Sequence, residues 1–218
     1  MIIIGKIFSI GDLANQKKSF KKPQRENVKI ALIDDEPFQG LERLQRNDYK
    51  IKQFEDISDI SAVSEFEIVL VDIDGVGKAL SEKYQGAFIL QEIRKRYPYK
   101  IIIAYSSKTF DASYNKYFKN ADFVFRKDQT TEQWVENLDQ AIVFAIDPLY
   151  QWKKLRDYLL INDVKLVNVL KIEDNFVKCI LRKDREFPNN SIAGYLKQET
   201  ISILKDFAKS LLFRSLLG

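Results

Sequence analysis

Four short apolar runs each stop at a residue able to do chemistry. Residues 28–33 stop at Asp34-Asp35, with Glu36 next, and residues 67–71 stop at Asp72. Residues 101–105 stop at Ser106-Ser107, and residues 122–125 at Arg126-Lys127. Carboxylates brought together suit a hard divalent cation, which takes oxygen ligands. A hydroxyl and an ammonium are donors that can be aimed at negative charge. The residues at these run ends are therefore the raw material of a site for a cation and an anion together.

What is missing narrows the chemistry further. The 218 residues include no histidine and one cysteine, Cys179. That excludes Ser-His-Asp and Cys-His triads, histidine-rich metal sites and phosphohistidine on this chain. A single cysteine forms no internal disulfide, so a reducing cytosol is the expected location. The apolar start at residues 1–4 is broken by Gly5 and Lys6. It is too short for a signal-peptide core, and no run approaches the length of a membrane span.

The run ends matter because of the elements that carry them. The runs at 28–33, 67–71, 101–105 and 122–125 read as strands, with a weaker one at 51–54. Phe38, Leu41 and Leu44 have helical spacing over 38–47, and 57–64 reads as a short helix. Phe88, Ile89, Glu92, Ile93 and Arg96 sit on a helix closed by Pro98. Residues 131–146 form a strongly amphipathic helix, with Trp134, Leu138, Ala141, Ile142 and Ala145 on its apolar face. Five repeats of strand then helix, with strands that lack polar alternation, require a parallel sheet covered on both faces. In such a sheet ligands bind beyond the carboxyl ends of the strands, where the strand order reverses. All the chemically able residues fall at those ends.

The sequence divides into three parts on this reading. Residues 1–27 are an arm or linker, whose stretch 15–27 is polar and basic and contains Pro23. Residues 28–147 are the α/β domain, a five-stranded doubly wound parallel sheet. Residues 148–218 are an all-α extension that begins at Asp147-Pro148, an N-cap followed by a first-turn proline. Helices are expected over 149–160, 164–181 and 192–217, with Pro188-Asn189-Asn190 as the break. The net charge of +4 is uneven. The two flanks are basic, at about +4 for 1–27 and about +5 for 148–218, and the centre is acidic.

In their order, Asp34-Asp35-Glu36, Asp72, Ser106 and Lys127 resemble the receiver domain of bacterial two-component response regulators, over about 120 residues. The resemblance implies a flavodoxin-like fold and an Mg²⁺ site. Asp35 and Asp72 would bind the ion directly, Asp34 directly or through water, and the backbone carbonyl of Asp74 would add a ligand. Asp72 would be the phosphoacceptor, attacking phosphorus with a carboxylate oxygen once the cation has reduced the repulsion between two anions. Ser106 and Lys127 would bind the phosphoryl oxygens. Crowding these carboxylates raises at least one of their pKa values, so metal affinity should fall as pH drops. The donor would be a cognate histidine kinase or phosphotransfer protein, since this chain has no histidine. The chain would then accept phosphoryl groups rather than turn over a substrate, with Asp74 a candidate for hastening hydrolysis of phospho-Asp72.

The sequence departs from that family where the signal is relayed. Four residues after Asp72 stands Val76 in place of proline, and the segment 77–85 is about six residues longer than usual. Asp128 replaces the proline that normally follows the lysine. Three positions before Lys127 stands Val124, between Phe123 and Phe125, where an aromatic residue is common.

Two other readings compete. Residues 69–76, VLVDIDGV, also resemble the nucleophile motif of haloacid-dehalogenase-type phosphatases, with Asp72 attacking phosphate and Asp74 as general acid and base. That family places its nucleophile on the first strand and its acidic metal pair after the lysine, whereas Asp34-Asp35 come before Asp72. The extension could alternatively bind DNA, since Lys153, Lys154 and Arg156 permit contact, but no helix-turn-helix signature appears. Leu204, Phe207, Leu211, Leu212 and Phe213 mark a core or a helix-pairing seam, so a protein target or a homodimer is the expected output.

Overall fold

β-branched and aliphatic residues dominate the sheet, and they pair as such residues do when both faces are covered. The structure, a computed structural model, describes residues 6–13, 25–107, 118–184, 186–194 and 196–210. The strands are β1 (Lys29–Ile33), β2 (Lys50–Phe54), β3 (Ile68–Asp72), β4 (Ile101–Ser106) and β5 (Phe123–Arg126). They form a five-stranded sheet in the order β2-β1-β3-β4-β5, every pair parallel. This is the doubly wound, flavodoxin-like order, and its reversal point lies between β1 and β3.

Helix α1 spans Leu41–Arg46, α2 Gln85–Arg96 and α3 Thr131–Ile146, with a 3₁₀ turn at Ile60–Val63. α1 starts later than the spacing of Phe38 suggests. Phe38 turns instead onto Trp134 of α3, edge-on with ring centroids 5.2 Å apart. The helix expected between β4 and β5 falls largely on residues 108–117, outside the described residues.

By its contacts the chain divides into two units, Lys22–Ala145, and Met1–Lys21 together with Ile146–Gly218. In the second unit α4 (Pro148–Ile161) is capped by Asp147, whose carboxylate accepts from the amide of Leu149 at 2.8 Å. α5 (Leu166–Arg182) carries the most marked apolar stripe, and Trp152 of α4 stacks on its Phe176 at 5.3 Å. The helix expected over 192–217 is two helices, α6 (Asn190–Ala193) and α7 (Gln198–Ala208). Asn189 caps α6 through its side chain, and α6 ends at Ala193 while α7 begins only at Gln198. Leu204 and Phe207 are fully buried core, while Leu211, Leu212 and Phe213 lie outside the described residues. No described helix is long and apolar enough to cross a membrane.

Residues 8–13 belong with this second unit. The amide of Phe8 donates to Asp174 at 2.8 Å and that of Ile10 to Glu173 at 2.7 Å, while Leu13 is fully buried. The expected arm continues through 14–24, outside the described residues.

Candidate functional site

Parallel pairing carries the chemistry to one edge. β1 and β3 are adjacent at the reversal point, so the residues that follow their last aliphatic positions, Asp34 and Asp72, end side by side. One carboxylate oxygen from each of Asp34, Asp35 and Asp72 lies within 4.8 Å of the others. Asp34 and Asp72 are buried, at 3% and 5% exposure, and Asp35 is exposed. An octahedral ion bound at about 2.1 Å has opposite ligands about 4.2 Å apart, so this donor set suits a small hard dication such as Mg²⁺.

Asp34 is held on both oxygens. Its Oδ1 accepts from the amide of Glu36 at 3.0 Å, and its Oδ2 from the Tyr105 hydroxyl at 2.5 Å. The Tyr105 hydroxyl is pushed far up from its usual range by burial first and by Asp34 second, so it stays a donor. Gln53 on β2 ties the loop after β1 by donating to the carbonyls of Asp34 and Glu36 at 3.2 and 2.7 Å.

Lys127 closes the other side. β5 pairs with β4, and the amide of Lys127 donates to the carbonyl of Ser106 at 3.2 Å. The Lys127 ammonium then lies 2.5 Å from Asp72 Oδ2 and 3.2 Å from Asp34 Oδ2. Burial pushes the Asp72 carboxyl up to about 6, opposed by Lys127 and assisted by Asp34. Burial lowers Lys127, but Asp72 and Asp34 outweigh it and hold the ammonium above its usual value. Ser106, buried at 4% exposure, ends β4 one residue beyond Tyr105, which pairs with Asp72. The amide of Asp74 donates to Asp72 Oδ1 at 3.4 Å.

Two glycines make this edge possible. Gly75 has φ +89°, and a Cβ there would fall 2.2 Å from Asp35 Oδ1, so only glycine lets the β3–α2 loop pass the carboxylate. Gly86, in the first turn of α2, would place a Cβ 1.8 Å from the carbonyl oxygen of Asp72. The long segment before α2 is secured by the Gly77 amide donating to Asp56 at 2.6 Å and the Gly75 amide donating to Gln85 at 2.8 Å. Val76 is fully buried.

The sequence-derived residues Asp34, Asp35, Asp72 and Lys127 thus meet in one place, with Ser106 at the end of β4 and Asp74 in the loop two residues past β3. Sequence reasoning missed Tyr105 and Gly75. The signal for Tyr105 was a lone hydroxyl in the aliphatic run of β4, since a buried tyrosine hydroxyl needs a partner.

No family model matches the chain, and no curated protein matches it. Solved structures do. A CheY-like response regulator receiver domain protein from Methanospirillum hungatei JF-1 is 17% identical, covering 54% of this chain and 95% of its own, with a TM-score of 0.45. The response regulator TrrA from Thermotoga maritima, solved in complex with Mg²⁺ and BeF, is 23% identical, covering 52% of this chain and 98% of its own, with a TM-score of 0.41. The receiver domain of NtrX from Brucella abortus is 19% identical, covering 52% of this chain and 97% of its own, with a TM-score of 0.43. Over about half its length, this chain is similar to the receiver domains of response regulators.

Proposed function

We propose that this protein is a response regulator of a phosphorelay, phosphorylated on Asp72 in the presence of Mg²⁺, and that the phosphorylated form switches the C-terminal helices toward a protein partner or a second copy. The observation that carries the reading is the meeting of Asp34, Asp35 and Asp72 within 4.8 Å, with the Lys127 ammonium on Asp72. Three carboxylates and one fixed cation make a place where a dication and a phosphoryl group can share charge.

Bound beside Asp72, Mg²⁺ would offset the repulsion between a carboxylate and a phosphoryl group. Asp34, Asp35, Asp72 and the Asp74 carbonyl would hold it. A carboxylate oxygen of Asp72 forms the new bond to phosphorus, and the donor's bond to phosphorus breaks with its electron pair leaving on the donor. Lys127 turns from Asp72 to a phosphoryl oxygen, and Ser106 donates to another. The donor is a histidine kinase or a phosphotransfer protein, because this chain has no histidine. The chain is then an acceptor rather than a turnover enzyme. Asp74 lies two residues past Asp72, with its amide on Asp72 Oδ1, and shapes the hydrolysis of the phosphoryl group.

Switching requires that the phosphoryl group bind one state better than the other, by about 5.5 kcal/mol for a full reversal. Helix α3 begins four residues after Lys127 and leads through Asp147 into α4, which gives the switch a direct covalent route to the helices.

The test is incubation with a small phosphodonor and Mg²⁺, followed by intact-mass measurement. Wild type should gain one phosphoryl group, and Asp72→Ala none. Equal labelling of both forms would sink the reading, and steady turnover of a generic phosphomonoester would point to a phosphatase instead.

A further inference from the structure

Tyr105 touches both the acidic pocket and the first turn of α3. It is fully buried. Its hydroxyl donates to Asp34 Oδ2 at 2.5 Å, and its ring meets Trp134 edge-on with centroids 6.2 Å apart. The Lys127 ammonium lies 5.2 Å from the same ring. Trp134 is the hub of a small aromatic group, meeting Phe38 at 5.2 Å and Phe125 at 5.7 Å, so the loop after β1 and strand β5 itself converge on it.

We propose that Tyr105 is a positioning residue that couples occupancy of the acidic pocket to Trp134 and so to the start of α3, on the face of the sheet that carries α1 and α3. The proposal rests on the reading of Asp72 and its neighbours as a cation and phosphoryl site. A dication among the three carboxylates attracts the Asp34 oxygen that Tyr105 holds, and it repels the ammonium beside the Tyr105 ring. Both changes act on one fully buried side chain. In a packed interior such a ring moves only together with its neighbours, and the neighbour across the ring is Trp134.

The chain has two tryptophans, Trp134 and Trp152, so 5-fluorotryptophan labelling of the full chain gives two ¹⁹F signals, and Trp134→Phe assigns them. In wild type, Mg²⁺ with beryllofluoride should move the Trp134 signal and leave that of Trp152 in place. In Tyr105→Phe, which removes only the hydroxyl, the Trp134 shift should be largely lost. Calorimetry should still show Mg²⁺ binding within about tenfold of wild type, the range one hydrogen bond spans.

A full-size Trp134 shift in Tyr105→Phe, or an unmoved Trp134 in metal-bound wild type, overturns the coupling and leaves the acidic site standing. Loss of Mg²⁺ binding in Tyr105→Phe beyond tenfold also overturns it, because Tyr105 would then build the site rather than follow it. Wild type that binds no Mg²⁺ and takes no phosphoryl group overturns the site and the coupling together.

Discussion

The Lys127 ammonium sits 2.5 Å from Asp72 Oδ2, on a carboxylate that is 5% exposed and faces Asp34 as well. A bound dication and this ammonium are therefore rivals for the same negative charge. Two like charges a few ångströms apart in a half-buried site repel by a few kcal/mol at most. Lys127→Ala should tighten Mg²⁺ binding by about threefold to tenfold, or about 1 kcal/mol. It should also slow phosphorylation from a small phosphodonor by about a hundredfold, since a donor aimed at the developing charge is gone. Calorimetry and a labelling time course read the two effects. Weaker Mg²⁺ binding in the variant would show that Lys127 supports the cation rather than competing with it.

Gly86 tests how tightly α2 sits on the end of β3. A Cβ at this position meets the Asp72 carbonyl oxygen at 1.8 Å, which neither backbone tolerates. Gly86→Ala should therefore push α2 away and cost about 2 to 3 kcal/mol in urea unfolding. Because the backbone on the other side of that clash is Asp72's, the carboxylate should also lose its placement and Mg²⁺ affinity should fall as well. Gly194→Ala is the control, as its new Cβ would come no closer than 3.7 Å to the nearest atom among the described residues. Its unfolding midpoint should stay near that of wild type.

Much of this edge was legible because strand ends are written in the chain. A short aliphatic run that stops at a charged or hydroxyl residue marks both the strand and its carboxyl end, and parallel order then gathers those ends. The contacts across the sequence were not written. Tyr105 reads as core by its type, and its partner Asp34 lies 71 positions earlier. Gly75 reads as an ordinary turn glycine until Asp35 is seen against it. Phe38 has helical spacing, yet the pull of Trp134 takes it out of α1. The last helix reads as one apolar stretch over 192–217, but one helix ends at Ala193 and the next begins at Gln198, and apolar spacing alone does not reveal such a break. Residues 8–13 read as part of an N-terminal arm or linker, because nothing local announces that Glu173 and Asp174 lie ready to accept the amides of Ile10 and Phe8.

Asp139 gives a pH signature away from the cluster of Asp34, Asp35 and Asp72. Arg25 grips it with two bonds, of 2.7 and 2.6 Å, and the Tyr49 hydroxyl donates to it at 2.7 Å. Burial works against its charge, but Arg25 and Tyr49 outweigh burial and hold the carboxyl below its usual 3.8. A carboxyl whose folded pKa is depressed stabilises the fold above its unfolded pKa, and that stability is lost as pH falls through the folded value. Asp139→Asn should cost about 1 to 2 kcal/mol at neutral pH, given charged hydrogen bonds at a partly exposed pair. The gap between variant and wild type in thermal unfolding should close below pH 3.8. A gap that stays constant with pH would assign the effect to packing instead.

Glu173 decides whether residues 8–13 are part of the helical unit or merely rest on it. It is 8% exposed, and each of its two carboxylate oxygens has a donor of its own. The Ile10 amide donates to Oε1 at 2.7 Å and the Trp152 indole N–H to Oε2 at 2.9 Å. Removing the acceptor strands an indole N–H beside the Trp152–Phe176 stack and frees a backbone amide, and a buried donor without a partner costs about 1 to 3 kcal/mol. Glu173→Gln keeps one carbonyl acceptor and should lose less than Glu173→Ala. The segment should also loosen locally before the helices melt, since few of its bonds lie elsewhere. Limited proteolysis should therefore cut near residues 8–13 several times faster in Glu173→Ala than in wild type, while the far-ultraviolet dichroism of the helices is unchanged. Equal cutting rates would mean that Asp174 and the burial of Leu13 hold the segment without Glu173.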